Sequence, residues 1–255
     1  MNAESWVNLT KGDIEELESL DRTYLRRVLN VCSSTPIPAL YLELGVIPIR
    51  FIIQAKRLMF LHYLLSRNDN ELVSQVLKAQ IDDPVKGDWI LTVKEDLISF
   101  DLNYLSFDDI KNLKKEDFKK IVKKARKNAA LKYLLKEKEE KCANKMSKLK
   151  YENLSMRPYF KTNLLTQRKQ ILLFKFRCRM VDVGRNFGRN NCCPVCLIEE
   201  DNQEHLFLCD KLYSIDNLYN DLFSNDMEKV KTAIDTGDNA IRKREKIVNA
   251  QKSFN

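Results

Sequence analysis

Cys193-Pro194-Val195-Cys196, followed after eight residues by His205 and after three more by Cys209, has the residue types and spacing of a metal site. Thiolates and imidazole suit zinc, which takes four soft or borderline donors in a tetrahedron. Two cysteines two residues apart can grip one ion from a tight turn. Pro194 fixes that turn and, having no N–H, leaves the neighbouring amides free to point at sulfur. His205 and Cys209 are four apart, so one helical turn presents both on one side, with Leu206 and Leu208 expected to pack beneath. Four ligands leave no position for water, so one structural Zn2+ is expected rather than a catalytic one. Cys192 opens an alternative, Cys192-x3-Cys196. Cys193 is the expected ligand because the Cys-Pro-x-Cys turn requires it. A DNA-reading finger has about twelve residues before its first histidine and ends in histidine, so this spacing is of another kind.

No other constellation carries chemistry. His62 has no second histidine near it and reads as a packed or surface residue of an apolar helix. Asp108-Asp109 reads as the acidic first turn of a helix behind Ser106, and Asp82-Asp83 as a turn before Pro84. A nucleophile–base pair and a phosphate-cradling glycine loop are both missing. The chain is expected to be non-catalytic, with no small-molecule substrate.

The net charge of +8 conceals an asymmetry. Residues 111–189 hold 25 Lys and Arg against 7 Asp and Glu, which leaves 19 basic and 29 acidic residues for the rest of the chain. A basic middle between acidic ends implies a surface for a polyanion, here RNA and/or DNA. A lysine-rich solvated helix face is the plainer alternative. At 100° per residue, Phe118, Ile121, Val122, Ala125 and Ala129 share one arc of a helix, and Lys119, Lys120, Lys123, Lys124, Arg126 and Lys127 the other. Beyond residue 130, Lys132 and Lys136 blur this separation. Arg177, Arg179, Arg185 and Arg189 bring further charge to the cysteine cluster. Tyr159, Phe160, Phe176 and Phe187 read as core, with base stacking as the functional alternative.

Six Gly and six Pro in 255 residues favour helices. Helices are expected over about 10–31, 38–44, 49–66, 70–80, 85–100, 106–113, 115–140, 166–181, 211–223 and 226–250, with 141–164 irregular. Thr10 with Asp13 approximates a capping pair, and Trp89 and Phe100 look like anchors. A strand over 174–180 is the alternative to a helix there. The fold class is therefore all-α: a helical bundle over 1–140 that ends in a long basic helix, a basic connector over 141–190, and a zinc-stapled helical module over 191–255. No apolar run reaches the ~18 residues of a membrane span. The first residues lack a basic region followed by an apolar one, so neither a secretory leader nor a membrane partner is expected. Seven cysteines, an odd number, fit a reducing interior, so the expected localisation is intracellular, in nucleus and/or cytoplasm.

"CPVCLIEEDNQEHLFLC", preceded by "FKFRCRMVDVGRNF", resembles the zinc-binding segment at the C-terminal end of non-LTR (LINE-like) retrotransposon polyproteins, downstream of the reverse transcriptase. "LDRTYLRRVLNVCSSTPIPALYLELGVIPIRFIIQAKRLMFLHYLLSR", "DWILTVKEDL" and "ALKYLLKEK" are similar to the stretch such elements carry just after the polymerase core. The resemblance covers roughly residues 8–249. It implies a grip on template RNA or target DNA during target-primed reverse transcription, and metal ligation by Cys193, Cys196, His205 and Cys209. The family's polymerase needs an aromatic-x-Asp-Asp hairpin with a further carboxylate, which neither Phe107-Asp108-Asp109 nor Ile81-Asp82-Asp83 matches. The chain then looks like the non-catalytic C-terminal part of an element. The alternative is a zinc-stabilised protein-interaction or scaffold module of a decayed or host-adopted one.

Overall fold

A computed structural model of the chain describes residues 9–188, 192–212 and 218–253. Among these residues the secondary structure is helical: α1 Lys11–Val28, α2 Ile37–Leu44, α3 Ile49–Leu65, α4 Leu72–Asp82, α5 Trp89–Ser99, α6 Phe107–Asn112, α7 Lys115–Met146, α8 Pro158–Lys161, α9 Gln167–Arg177, α10 His205–Leu208, α11 Leu218–Asp221 and α12 Met227–Lys252. The one extended pairing among them is an isolated antiparallel bridge between Cys192 and Glu200. The protein is all-α, and 174–177, where a strand was the alternative, lie inside α9. No single described helix is long and apolar enough to cross a membrane.

Two compact units emerge, and they interleave along the chain. The first comprises Met1–Leu25, Gly45–Glu137 and Tyr151–Ser155, and the second Arg26–Leu44, Lys138–Lys150 and Met156–Asn255, each through its described residues. The sequence reading divides the chain consecutively instead. It assigns α2 to the first bundle, whereas α2 belongs with the C-terminal unit. The reason is Glu43, treated below.

In the first unit α3 packs on α4, α5 and α6. Its sequence IRFIIQAKRLMFLHYLL is apolar on most sides, and Phe51, Ile53, Ala55, Leu58 and Leu61 are buried. Trp89, Ile90, Val93 and Leu97 of α5 close that core with Phe118, Val122, Ala129 and Leu134 of α7. Phe51 stacks on Phe100 and meets the ring of Tyr133 edge-on. A buried ion pair lies inside this core. Arg57 forks onto Asp96 at 2.6 and 2.8 Å with both side chains buried, a geometry that only the planar guanidinium supplies. His62 is buried, donates from Nε2 to the Leu113 carbonyl at 2.9 Å and stacks on Phe118, so it is a packed residue that ties the α6–α7 turn to α3.

The helix starts follow their expected chemistry. Thr10 and Asp13 bond reciprocally, the Thr10 N–H to Asp13 Oδ2 at 2.7 Å and the Asp13 N–H to Thr10 Oγ1 at 3.2 Å. Ser106 and Asp109 form a full capping box, and the Ser106 hydroxyl and amide hold the Asp109 carboxyl below its ordinary pKa. Asp108-Asp109 is thus the first turn of α6.

In the second unit α12 carries the contacts of α9, α10 and α11. Gly237 explains how. A Cβ at this position would lie 3.0 Å from the rings of both Phe176 and Phe207, so glycine lets two aromatic rings sit directly on the backbone of α12. A mid-helix glycine costs about 1 kcal/mol of helix propensity, and the ring contacts offset it. Phe176 meets Phe207 edge-on at 5.5 Å, Phe207 lies 5.8 Å from Tyr219, and Tyr219 meets Phe223 at 5.6 Å.

The same unit is organised by a buried acid. Glu43 of α2 is 0% exposed. It accepts from Tyr159 Oη at 2.5 Å and from Arg177 Nε at 3.1 Å, while Arg157 Nε lies 3.9 Å away. The Arg157 amide also donates to the Glu43 carbonyl, at 3.0 Å. Burial, and then the charge on Glu43, push the Tyr159 hydroxyl well above its ordinary pKa. A carboxylate this dry is tolerable only with such partners. Its partners come from residues 157–177, which is why α2 belongs to this unit.

Candidate functional site

The segment 192–212 is a short knuckle followed by the one-turn helix α10. The Cys193 amide donates to the Glu199 carbonyl at 2.7 Å and the Leu197 amide to the Cys193 carbonyl at 2.8 Å. Leu197 sits at φ +64°, the left-handed turn that closes the knuckle. The His205 amide bonds to Asn202 Oδ1 at 2.7 Å, and the Cys209 amide to the His205 carbonyl at 2.8 Å. These bonds bring the ligand atoms of Cys193, Cys196, His205 and Cys209 within 4.8 Å of one another. Cys196 Sγ and His205 Nε2 are 3.3 Å apart. Metal–ligand bonds of about 2.0–2.3 Å require ligand atoms roughly 3.3–3.8 Å apart in a tetrahedron, so the cluster is of the right size to hold one ion.

The surroundings suit thiolates. The amides of Glu199 and Ile198 aim at Cys196 Sγ and draw its pKa down to about 6. Those of Lys211 and Leu212 aim at Cys209 Sγ, where burial is stronger and pushes the pKa up to about 11. Main-chain N–H groups on sulfur orient and stabilise metal-bound thiolate. Cys193 and Cys209 are 1% exposed. Cys192 is exposed and stands outside the group. Its neighbour faces the ligands, and successive residues of extended chain face opposite ways. The structure therefore brings in Cys193 and leaves Cys192 out.

The packing of α10 differs from the sequence expectation. Leu206 is buried as expected, but Leu208 is 57% exposed, and Phe207 takes the expected place under the turn. Phe207 is the ring that packs on α12, at Gly237.

Three buried polar residues, none flagged by spacing, brace the knuckle. Gln203 is 0% exposed, donates to the Phe176 carbonyl at 2.9 Å and accepts from Asn186 at 3.1 Å. Asp201 accepts from the Gly184 amide at 2.7 Å and from Arg244 at 2.8 Å. Asn186 also donates to the Val181 carbonyl at 2.9 Å.

The basic residues fall into two groups. On α7, Lys119, Lys120, Lys123, Lys124 and Lys127 are exposed and Arg126 is half-buried, opposite the buried Phe118, Val122, Ala125 and Ala129. Their acidic neighbours are few: Lys119 lies 4.0 Å from Glu116 and Lys120 lies 3.1 Å from Asp117. Exposed pairs of this kind hold little energy and yield to a competing anion.

The arginines near the metal cluster are otherwise engaged. Arg177 is a core residue, 11% exposed, bound to Glu43 and lying over Tyr159 and Phe223. It therefore cannot serve the phosphate contact expected of it. Arg179 pairs with Glu204 at 3.0 Å and Arg185 with Glu200 at 2.7 Å, so both neutralise acids of the knuckle. Arg189 lies outside the described residues, and so does the side chain of Phe187. Tyr159 and Phe176 are core, and Phe160 is half-buried against Tyr159.

Comparison with protein-family models, with curated proteins and with solved structures finds no match to this chain.

Proposed function

We propose that this chain is a non-catalytic nucleic-acid-binding segment whose Cys193–Cys196–His205–Cys209 group holds one structural Zn2+. The basic side of α7 carries the reading. Five exposed lysines stand within nine residues, over an apolar side that fixes their direction. A row of this kind attracts and holds a polyphosphate, and counterion release supplies the free energy. Three cysteine sulfurs and one imidazole within 4.8 Å of one another suit zinc over harder cations, and four protein ligands would close the shell to water. The retrotransposon resemblance supports this reading: it implies a chain downstream of a polymerase that grips template RNA or target DNA inside the cell. Asp109 is the N3 acid of the α6 capping box, and Asp108 lies beside it in the first turn.

Reversing Lys119, Lys120, Lys123 and Lys124 to Glu tests the reading. These positions are exposed, so the fold survives, and single-stranded RNA affinity falls by at least about 100-fold as four phosphate contacts become repulsive. A folded variant that binds RNA as well as the parent would remove α7 from the interface and leave a scaffold role.

A further inference from the structure

Within the first unit, α3 and α7 enclose a surface groove of about 490 Å³. Five of its lining residues are cations: Lys56 from α3, and Lys115, Lys119, Lys123 and Arg126 from α7. No carboxylate lines it. Its floor is apolar, with Ala55, Met59 and Val122, and Phe60 and Tyr63 make one wall. Those two rings stack on each other at 5.9 Å, Arg67 lies over Tyr63 at 4.6 Å, Trp89 meets Phe60 edge-on, and Tyr63 is 47% exposed. Arg126 Nε is shielded from water and has no hydrogen-bond partner among the described residues, so a donor there lacks its acceptor.

We infer that this groove binds a single strand of nucleic acid, with phosphates along the lysine row and an unpaired base against the Phe60–Tyr63 wall. This rests on the nucleic-acid reading above and divides the basic helix into two sides. Lys115, Lys119 and Lys123 recur every four residues, about 6 Å apart along the axis, so they form a rail along one lip of the groove. Lys56 faces them from α3. Lys120, Lys124 and Lys127 do not line the groove. A free anion would be attracted by the cations but has no use for the aromatic wall, whereas base-on-ring contact with flanking charge is how single strands are held without sequence preference. The volume is that of a small-molecule pocket, ~300–1,000 Å³, which admits one or two nucleotides and excludes a duplex.

The test uses the full chain and a labelled oligouridine of about 12 nucleotides, a length within known single-strand site sizes. One variant carries K56Q/K119Q/K123Q and a second, of equal charge change, K120Q/K124Q/K127Q. The groove variant is expected to lose affinity on the order of 100-fold, and its plot of log K against log salt to flatten by about 2, at ~0.7 per phosphate contact. The outer variant is expected to stay within about fivefold, since it changes only the general field. K56R/K119R/K123R keeps the charge row and is expected to retain binding. Equal losses in the two Gln variants would overturn the groove while leaving the nucleic-acid reading intact. So would equal affinity for a duplex of the same length, or displacement by polyglutamate as effective as by RNA. An unmodified chain that binds no RNA overturns both. Independently of any variant, a thiouridine-substituted strand crosslinked to the unmodified chain should label peptides containing Phe60 or Tyr63, and crosslinks confined to other peptides would contradict the assignment.

Discussion

Chelation of an ion held by Cys193, Cys196, His205 and Cys209 is expected to unfold the segment 192–212. Apart from the ligand group, the segment is held by the hydrogen bonds of Asp201 and Gln203 and by a small apolar core. Its apolar contribution is Val195, Leu206, Phe207 and Leu212, and α10 is a single turn, far below the length at which a helix is stable alone. Structural zinc sites supply about 10–16 kcal/mol of apparent binding free energy, which in modules this small is folding free energy. Cys209→Ser leaves three ligands and has the same effect, whereas Cys192→Ser is neutral because Cys192 lies outside the cluster. Hydrogen exchange reads the result. The amides of Cys193, Leu197 and Cys209, bonded to Glu199, Cys193 and His205, lose protection without metal, while amides in the middle of α3 keep theirs. Full protection at 193, 197 and 209 in protein proven metal-free would sink the zinc staple.

Glu43→Ala is the second large effect. It removes the carboxylate that Tyr159 and Arg177 share and that Arg157 approaches, and leaves a buried guanidinium without its anion. Breaking a buried pair from one side costs about 3–5 kcal/mol, which for a chain of this size lowers the melting temperature by roughly 10 °C or more. Glu43→Gln keeps an acceptor for Tyr159 and should fall between the two. A melting temperature within about 1 °C of the parent for Glu43→Ala would mean that Arg177 finds another partner and that the acid is dispensable.

Much of this was visible in the chain itself. Periodicity located α1 to α7 because their apolar residues recur at helical spacing, and Pro48, Ser106 and Thr10 mark starts by local chemistry. The metal ligands were legible because two short spacings, Cys-x2-Cys and His-x3-Cys, are each solved by one turn of backbone. The rest depends on contacts distant in sequence. Charge counting placed Arg177 with the phosphate contacts, because its partner Glu43 is 134 residues away. It also could not see that Glu200 and Glu204 neutralise Arg185 and Arg179. A signal was present in each case: Glu43 is a lone acid in the apolar run Ala39-Leu40-Tyr41-Leu42, and Gly237 a lone glycine inside a long helical pattern. Both mark burial and close approach, but neither names the partner. The groove was invisible for the same reason, since Lys56 joins Lys119 only when α3 and α7 pack.

The most direct test is an equilibrium titration of single-stranded RNA with the intact, metal-loaded protein across a range of salt. Micromolar or tighter binding at low salt is expected, with log K falling linearly in log salt at a slope of about −3 to −4, the signature of some five phosphates neutralised on a single strand. Binding that is unchanged between low and high salt, or absent at low salt, would contradict the nucleic-acid reading.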